Sequence, residues 1–149
     1  MLRLSKLTDY AIVLLGQFVH GREQTWTARV LADRSHLPLP TVSKVLKTLA
    51  RAGLLVSERG ATGGYLLARP GSAITVAEVI SAIDGPIAIT ECVTSTCGLE
   101  TSCPSRHHWH RINGAVAHAL HGLTIHEMTK PAGEGQQLVH LGSGVRREL

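Results

Sequence analysis

The sequence predicts a mainly α-helical fold with a small β wing and one long additional helix. In five segments, apolar residues recur at the 3.6-residue spacing of amphipathic helices. Two short apolar runs flank the glycine-rich stretch "RGATGG", which is typical of a β-hairpin. Beyond the hairpin, a further apolar stripe is longer than the remaining residues can cover. These features predict a helical domain followed by a helix that needs a partner.

The predicted order of elements begins with two helices. The first runs from Thr8, a candidate N-cap, to His20, and Asp9 in its first turn favours a helix start. The second is short, lies in "TARVLADRSHL" and is capped by Thr25 or Thr27. The stretch "LPLP" then interrupts the helical spacing, because each proline disfavours helix at the preceding residue.

A third helix begins at Pro40 and ends near Ala52, because proline fits the first turn of a helix and Gly53 can terminate it. Its apolar stripe consists of Val42, Val45, Leu46 and Leu49, and its outer positions are Thr41, Ser43, Lys44, Lys47, Thr48 and Arg51. Two short helices joined by a tight turn, the second with a cationic outer face, are typical of a helix-turn-helix. The alternative is an ordinary amphipathic helix with its lysines in water.

A β-hairpin follows the third helix directly, with "LLVSERG" and "GGYLLARP" as its strands. A hairpin in this position is the wing of a winged helix-turn-helix domain, which we expect to occupy residues 1–72. The tip of such a wing approaches the phosphate backbone or the minor groove of DNA. Gly60, Gly63 and Gly64 keep the tip slim, and Arg59 suits a narrow, electronegative groove. The alternative is a flexible loop without a partner.

The charge of the chain is unevenly distributed. Residues 1–72 carry ten Lys/Arg and four Asp/Glu, whereas residues 73–149 carry five and seven. A basic front half is expected of a nucleic-acid-binding protein, although surface charge scattered by chance is the alternative. No apolar run is long enough to span a membrane, and the N-terminus lacks the cleavage site of a secretion signal. We therefore expect a cytoplasmic protein.

Two further helices are predicted after the wing. Thr75 caps a fourth helix, which Gly85 and Pro86 end, and Pro104 opens a fifth helix that reaches about Leu120. The apolar stripe of the fifth helix consists of Trp109, Ile112, Val116 and Leu120, with Leu123 one step further. We expect this helix to pair with its copy in a homodimer, as a palindromic DNA operator requires. Packing onto its own domain is the alternative.

Three cysteines lie between the fourth and fifth helices. Cys92, Cys97 and Cys103 have the spacing C-x4-C-x5-C, which is neither that of a zinc ribbon nor that of a ferredoxin. A disulfide framework is not expected without a secretion signal. Small and hydroxylic residues between the thiols leave room for a compact cluster. From spacing alone, an iron–sulfur cluster, a zinc ion and thiol redox chemistry all stay open.

The ordered combination of these segments resembles the Rrf-two family of iron–sulfur transcription regulators, typified by IscR and NsrR. The matching segments are "LRLSKLTDYAIVLL", "LPLPTVSKVLKTLARAGLL", "RGATGGYLLARP", "ITVAEVISAIDG" and the three cysteines followed by Trp109. They cover about residues 1–128. The closest resemblance is to the branch that regulates Suf-type cluster assembly.

The resemblance implies a dimeric winged-helix transcription factor with one 2Fe–2S or 4Fe–4S cluster per subunit, held by the three cysteines. The IscR-type histidine ligand, three residues after the third cysteine, is replaced by Arg106, which cannot ligate, and His107 follows it. In NsrR-like members the fourth ligand is an aspartate of the partner subunit, and Asp9 matches it. We favour Asp9 over His107. Residues 73–128 are then the cluster-binding loop and dimerisation helices, and residues 129–149 a flexible tail.

The expected function is that of a repressor that senses cluster status, oxidative stress or nitrosative stress and controls cluster-assembly genes. On DNA, the residues expected in the major groove are Thr41, Ser43, Lys44 and Lys47; Arg59 and Gly60 form the wing tip, and Arg51 and Lys6 contact phosphate. One alternative keeps DNA binding but uses the cysteines as a thiol switch or zinc site. Another, a thiol enzyme or cluster-transfer scaffold, leaves the wing unexplained, so we expect no enzymatic activity.

Overall fold

Six α-helices and one two-stranded hairpin follow one another in the part of the chain that the structure describes. The structure is a computed structural model, and it describes residues 4–21, 24–61, 63–93, 97–98 and 102–130. The elements are α1 (Lys6–His20), α2 (Ala28–Ser35), α3 (Leu39–Arg51), β1 (Leu55–Glu58), β2 (Gly64–Leu67), α4 (Val76–Asp84), α5 (Arg106–His121) and α6 (Ile125–Met128), with 3-10 turns at Gly71–Ala73 and Glu91–Val93. The predicted mainly helical fold with a small β wing is confirmed.

The predicted start of α1 was wrong. The helix begins at Lys6, and its cap is Ser5, whose side-chain oxygen accepts a hydrogen bond from the Thr8 backbone N–H at 3.2 Å. Thr8 is fully buried, and its hydroxyl donates to Oδ2 of Asp84 at 2.8 Å. The sequence suggested Thr8 as a cap because threonine caps helices well, but here its hydroxyl joins α1 to the end of α4.

The core is built from the inner faces of α1, α3 and α4. The stripe predicted for α3 is buried throughout: Val42, Val45, Leu46 and Leu49 are each at most 1% exposed. Leu14 and Leu15 of α1 and Val79 of α4 are fully buried in the same cluster. Full burial of such side chains contributes about 1.5–3 kcal/mol each. The position of α3 is therefore fixed by its apolar face, and its polar face is left outside.

The wing is attached to the helical core through one additional bridge. Strands β1 and β2 pair antiparallel in a register that runs from Leu55 opposite Leu67 to Glu58 opposite Gly64. Trp26, which precedes α2, pairs with Tyr65 through two backbone hydrogen bonds of 2.8 Å each. This bridge fixes the tip-side end of the hairpin against the segment that leads into α2.

After α5, the chain returns to the core through a short helix that the sequence analysis missed. Val76 N–H donates to Leu123 O, and Ile125 N–H donates to Ile74 O, both at 2.9 Å. Ile125 is fully buried, and Thr124 and Glu127 form a capping box. That box was a visible start signal, but α6 is only four residues long, too short for apolar spacing to reveal.

No helix within the described ranges is both long and apolar enough to cross a membrane. The described part of the chain ends at Lys130, so the tail predicted over residues 129–149 lies almost entirely outside it.

Candidate DNA interface and cysteine segment

The outer face of α3 presents the side chains that the sequence analysis expected to read DNA. Lys44 and Lys47 are exposed, and Thr41 and Ser43 are half-buried beside them. The Thr48 hydroxyl donates to Lys44 O at 3.0 Å, so its hydrogen bond is used within the helix. The first turn of α3 is exposed around Pro40. The face therefore combines hydroxyl donors near its start with cations along its length.

The turn between α2 and α3 sets the angle at which α3 is presented. Thr27, one of the two predicted caps, accepts a hydrogen bond from Val30 N–H at 3.3 Å and begins α2. His36 ends α2 with φ of 55°, a left-handed conformation that is uncommon for residues other than glycine. Leu37 N–H then donates to Ala32 O at 3.2 Å. These contacts form the tight turn of a helix-turn-helix.

The wing tip has the shape that its glycines predicted. Arg59 and Gly60 are both exposed, and Gly60 has φ of 123°, which an L side chain rarely adopts. A Cβ atom on Gly63 would lie 2.5 Å from Glu58 O, so the chain there has no space for a side chain. Arg59 is therefore carried on a narrow, exposed turn.

The exposed cations of α3 and the wing are not neutralised by acidic side chains. In the described residues, Lys44, Lys47, Arg51 and Arg59 have no carboxylate partner. Lys47 and Arg51 line a cleft of about 310 Å³ between α3 and the wing, together with Ala50, Ser57 and Tyr65. Since unpaired cations on two neighbouring elements attract polyanions, this surface has the electrostatic character of a DNA interface.

The cysteine segment is described only in part. Cys92 lies in the turn Glu91–Val93, but its side chain is outside the described residues, as are residues 94–96 and 99–101. Cys97 and Cys103 are free, half-buried thiols. Among the residues described, no group of three or more His, Cys, Asp or Glu side chains is arranged to hold a metal. The predicted joint use of the three cysteines stays a prediction.

Of the two candidates for a fourth ligand, the structure brings one close to a cysteine in the same chain. Cys103, Pro104, Arg106, His107 and His110 line a cleft of about 410 Å³. His110 was not predicted, although it lies three residues after His107 on α5 and so shares its side of the helix. Asp9 is exposed on α1 and does not line this cleft. The resemblance places the contact of Asp9 with the cluster in the partner subunit.

Two polar contacts hold the segment that leads to the cysteines. Ile89 N–H donates to Oδ1 of Asn113 on α5 at 3.1 Å. Asp84, at the end of α4, accepts from Ser5 N–H at 3.1 Å and from the Thr8 hydroxyl. Desolvation acts to raise the pKa of Asp84, but the hydrogen bonds from Ser5 and Thr8 outweigh it and lower that pKa. Sequence reasoning missed both contacts, because neither residue type signals such a role.

The long helix α5 differs from the other long helices in having no buried residue at all. Trp109 is 37% exposed and Ile112 is 46% exposed, while Val116 and Leu120 are half-buried. Val116 and Leu120 also line an open groove of about 850 Å³ that runs past Leu4, Ile87 and Ile89. The predicted apolar stripe is thus present: Leu120 packs against the core of the chain, whereas Trp109 and Ile112 are exposed.

The arrangement is matched by a known family of regulators. Residues 4–131 match the Rrf2 family, described as iron-dependent transcriptional regulators. The chain belongs to the Rrf2 family. The resemblance to this family, on which the sequence analysis relied, is therefore confirmed, and the chain is a DNA-binding transcription regulator. Membership of the branch that regulates Suf-type cluster assembly stays a prediction.

Relatives and solved structures of Rrf2 regulators match nearly the whole chain. Protein aau3 of Rhizobium meliloti is 30% identical over 148 residues, which are 97% of this chain and 96% of that protein. The regulator IscR of Xenorhabdus nematophila is 29% identical and covers 87% of this chain and 80% of its own. The structure of CymR, the global cysteine regulator of B. subtilis, is 28% identical, with a TM-score of 0.68 and coverage of 87% of this chain and 97% of its own. That of T. potens IscR is 25% identical, with a TM-score of 0.65 and coverage of 91% of each chain.

These matches confirm the winged helix fold class, and the named regulators among them are not enzymes, as the sequence analysis expected. They leave the signal open, because one matched structure is named for cysteine regulation and others are IscR proteins.

Proposed function

We propose that this Rrf2 regulator senses the state of an iron–sulfur cluster held by Cys92, Cys97 and Cys103 in residues 73–128. The observation that carries the proposal is a continuous series of contacts between the cysteine segment and the DNA-reading helix. The turn that contains Cys92 contacts α5, α5 contacts α4, and α4 contacts α3. A change in how the cysteines are held is thereby transmitted through packed helices to α3.

The residues present fit such a cluster. Cys97 and Cys103 are half-buried and free of disulfides, and soft thiolates are the usual ligands of iron–sulfur clusters. When bound, a cluster supplies a centre that responds to oxidants, nitric oxide and iron supply. The chain itself contributes the three thiolates, the Asn113 side chain that holds the Ile89 backbone, and the Asp84 carboxylate that joins α4 to α1.

Asp9 of the partner subunit is the proposed fourth ligand. It is exposed in the first turn of α1, where a second subunit can reach it. His107 is the alternative, supported by the cleft that it shares with Cys103. An oxygen or nitrogen ligand binds iron less firmly than a thiolate, so either residue leaves one iron open to attack.

We further propose that the protein acts as a homodimer on a palindromic operator in double-stranded DNA. Sixteen residues of α5 without one buried side chain give that helix little reason to be stable in a single chain. Pairing with a second copy covers Trp109 and Ile112 and sets two copies of α3 about one DNA turn apart. Because the cysteine segment lies against α5, its state affects that spacing. Repression of cluster-assembly genes is the regulatory output that we propose.

A second candidate function keeps DNA binding and replaces the cluster with a thiol switch or a zinc ion. The free thiols of Cys97 and Cys103 favour the switch, and the cleft that joins Cys103 to His107 and His110 favours zinc. Zinc binds such sulfur and nitrogen donors without visible colour. The two functions therefore differ in a property that can be seen directly.

The test is anaerobic purification of the full chain, followed by visible spectroscopy and analysis of iron, sulfide and zinc. A coloured protein with iron and sulfide in equal amounts, whose DNA affinity changes when the cluster is removed, supports the proposal. Colourless protein that contains zinc supports the second candidate. DNA affinity that is the same with and without iron would falsify cluster sensing. Asp9→Ala and His107→Ala variants then identify the fourth ligand through the loss of normal absorption.

A further inference from the structure

We propose that the cleft between α3 and the wing is a binding site for one phosphate group of the DNA backbone. This α3–wing cleft is lined by Lys47, Ala50, Arg51, Ser57 and Tyr65. The sequence analysis placed Lys47 in the major groove and did not consider Ser57 or Tyr65. The inference rests on the proposed placement of α3 and the wing on DNA, and it assigns a phosphate contact that is shared by both elements.

The helix contributes two cations whose charges are close together. Lys47 and Arg51 lie four residues apart on the same face of α3, an arrangement in which like charges repel. The Arg51 Nε donates to Lys47 O at 3.4 Å, so the guanidinium group is drawn back along the helix towards Lys47. Neither cation has a carboxylate partner within the described ranges. A bound anion removes this repulsion.

The wing contributes two hydroxyl groups on one face of its sheet. Ser57 lies directly opposite Tyr65 in the antiparallel register, and directly opposed side chains point to the same side. Neither hydroxyl has a hydrogen-bond partner among the described residues. The backbone of Tyr65 is held by its two 2.8 Å hydrogen bonds with Trp26. The backbone that carries the Tyr65 side chain is therefore held in place before DNA arrives.

The acidic residue of the same strand lies on the other face. Glu58 follows Ser57 in β1, and successive side chains of a strand point to opposite sides. Its Oε2 accepts a hydrogen bond from the Thr25 hydroxyl at 3.2 Å. Among the described residues that line the α3–wing cleft, every polar side chain can thus donate a hydrogen bond, and none is acidic. Phosphate oxygens only accept, as does the guanine edge in the major groove, but a phosphate also carries the negative charge that two neighbouring cations require. The pair of cations therefore favours the backbone over a base.

A phosphate held here has a consequence for how the domain reads DNA. One ligand contacts α3 through Lys47 and the wing through Tyr65, and this fixes the insertion of both elements at once. Lys47 then contributes affinity but little sequence preference. Lys44, which does not line the cleft, stays available to the bases.

The experiment tests three variants: Tyr65→Phe, Ser57→Ala and the double variant. The control is Tyr10→Phe, which removes the hydroxyl of the second tyrosine of the chain, on α1. Binding is measured by fluorescence anisotropy over a range of KCl concentrations. The probes are a mixed-sequence duplex and an operator duplex that the protein itself selects from a random pool. The double variant is expected to bind both duplexes about 5- to 20-fold more weakly, by the same factor, because the lost hydrogen bonds go to charged oxygens. Tyr10→Phe is expected to bind normally.

The salt dependence separates charge from hydroxyl contributions. Lys47→Ala should reduce the slope of log affinity against log salt by about 0.9, and the hydroxyl variants should leave it unchanged. Unchanged affinity of the folded double variant, or a loss confined to the selected duplex, overturns the phosphate site. If Lys44→Ala and Arg59→Ala also bind normally, the proposed DNA interface itself is wrong; if they bind weakly, only the inference about the cleft fails.

Discussion

Helix α3 of the winged helix-turn-helix half buries its apolar stripe within one chain, whereas the long helix α5 beside the cysteines does not. The entire apolar stripe of α3 is packed into the core, and Leu46 is fully buried. Helix α5 is longer, yet Ile112 is 46% exposed and no residue of the helix is buried. The difference indicates that α3 is held in place by the core of its own chain, and it supports the proposal that a second copy covers α5.

The largest effect that would test this comparison is loss of the cofactor. We expect Cys97→Ala or Cys103→Ala to abolish the visible absorption and the bound iron, because three thiolates are the proposed anchor. The helix-turn-helix half shares no core residue with these thiols, so its helical circular dichroism and its binding to mixed-sequence DNA should persist. A variant that keeps a full complement of iron contradicts the proposed ligand set.

The second effect concerns stability and contrasts the two halves directly. Leu46→Ala should lower the free energy of unfolding by about 2–5 kcal/mol, because it opens a cavity in a closed core. At protein concentrations low enough to keep the chain monomeric, Ile112→Ala should lower the free energy of unfolding by less than about 0.5 kcal/mol, because the Ile112 side chain is already exposed. Urea unfolding monitored by circular dichroism measures both values. Equal losses would show that α5 is packed as tightly as α3.

The third effect sharpens the role of α5 in assembly. Ile112→Glu should weaken the proposed homodimer at least about 10-fold, because an unpaired carboxylate would be buried in the apolar stripe. His118→Glu, on the exposed face of the same helix opposite the stripe, is the matched control and should dimerise normally. Sedimentation equilibrium measures the dissociation constant. If both variants dimerise like the parent chain, the interface lies elsewhere.

The smallest effect concerns the contact between the two halves at Asp84. The pKa of the Asp84 carboxyl is lower in the folded than in the unfolded state. The ionised carboxylate therefore stabilises the fold at pH values above its unfolded pKa, and this stabilisation is lost as the pH falls through the folded pKa. We expect Asp84→Asn to reduce stability by less than about 1 kcal/mol at neutral pH, because the group is largely exposed. Below about pH 4, the free energy of unfolding of the variant should fall less steeply with pH than that of the parent chain. Urea midpoints measured from pH 6 to pH 3 test this, and identical pH curves would exclude a role for the carboxylate.

Several parts of the candidate site could be predicted from sequence because their signals are local. Helical spacing located α3 and its cationic face, and the glycines located the wing tip around Gly60. The contacts of Thr8 with Asp84 and of Ile89 with Asn113 could not be predicted in this way. They join residues 76 and 24 positions apart in the sequence, and no local pattern records which distant group a hydroxyl or an amide will meet.

The sequence alone determined the fold class, the order of the helices around the hairpin, and the family of the protein, because periodicity, turn residues and ordered motifs are properties of neighbouring residues. Only the tertiary structure decided that Thr8 is a buried link rather than a cap, that Tyr65 and Ser57 face Lys47 and Arg51 across one cleft, and that Trp109 and Ile112 of α5 are left exposed. Each of these depends on how separate elements pack. Packing is set by the combined burial of the whole core, which no single segment contains.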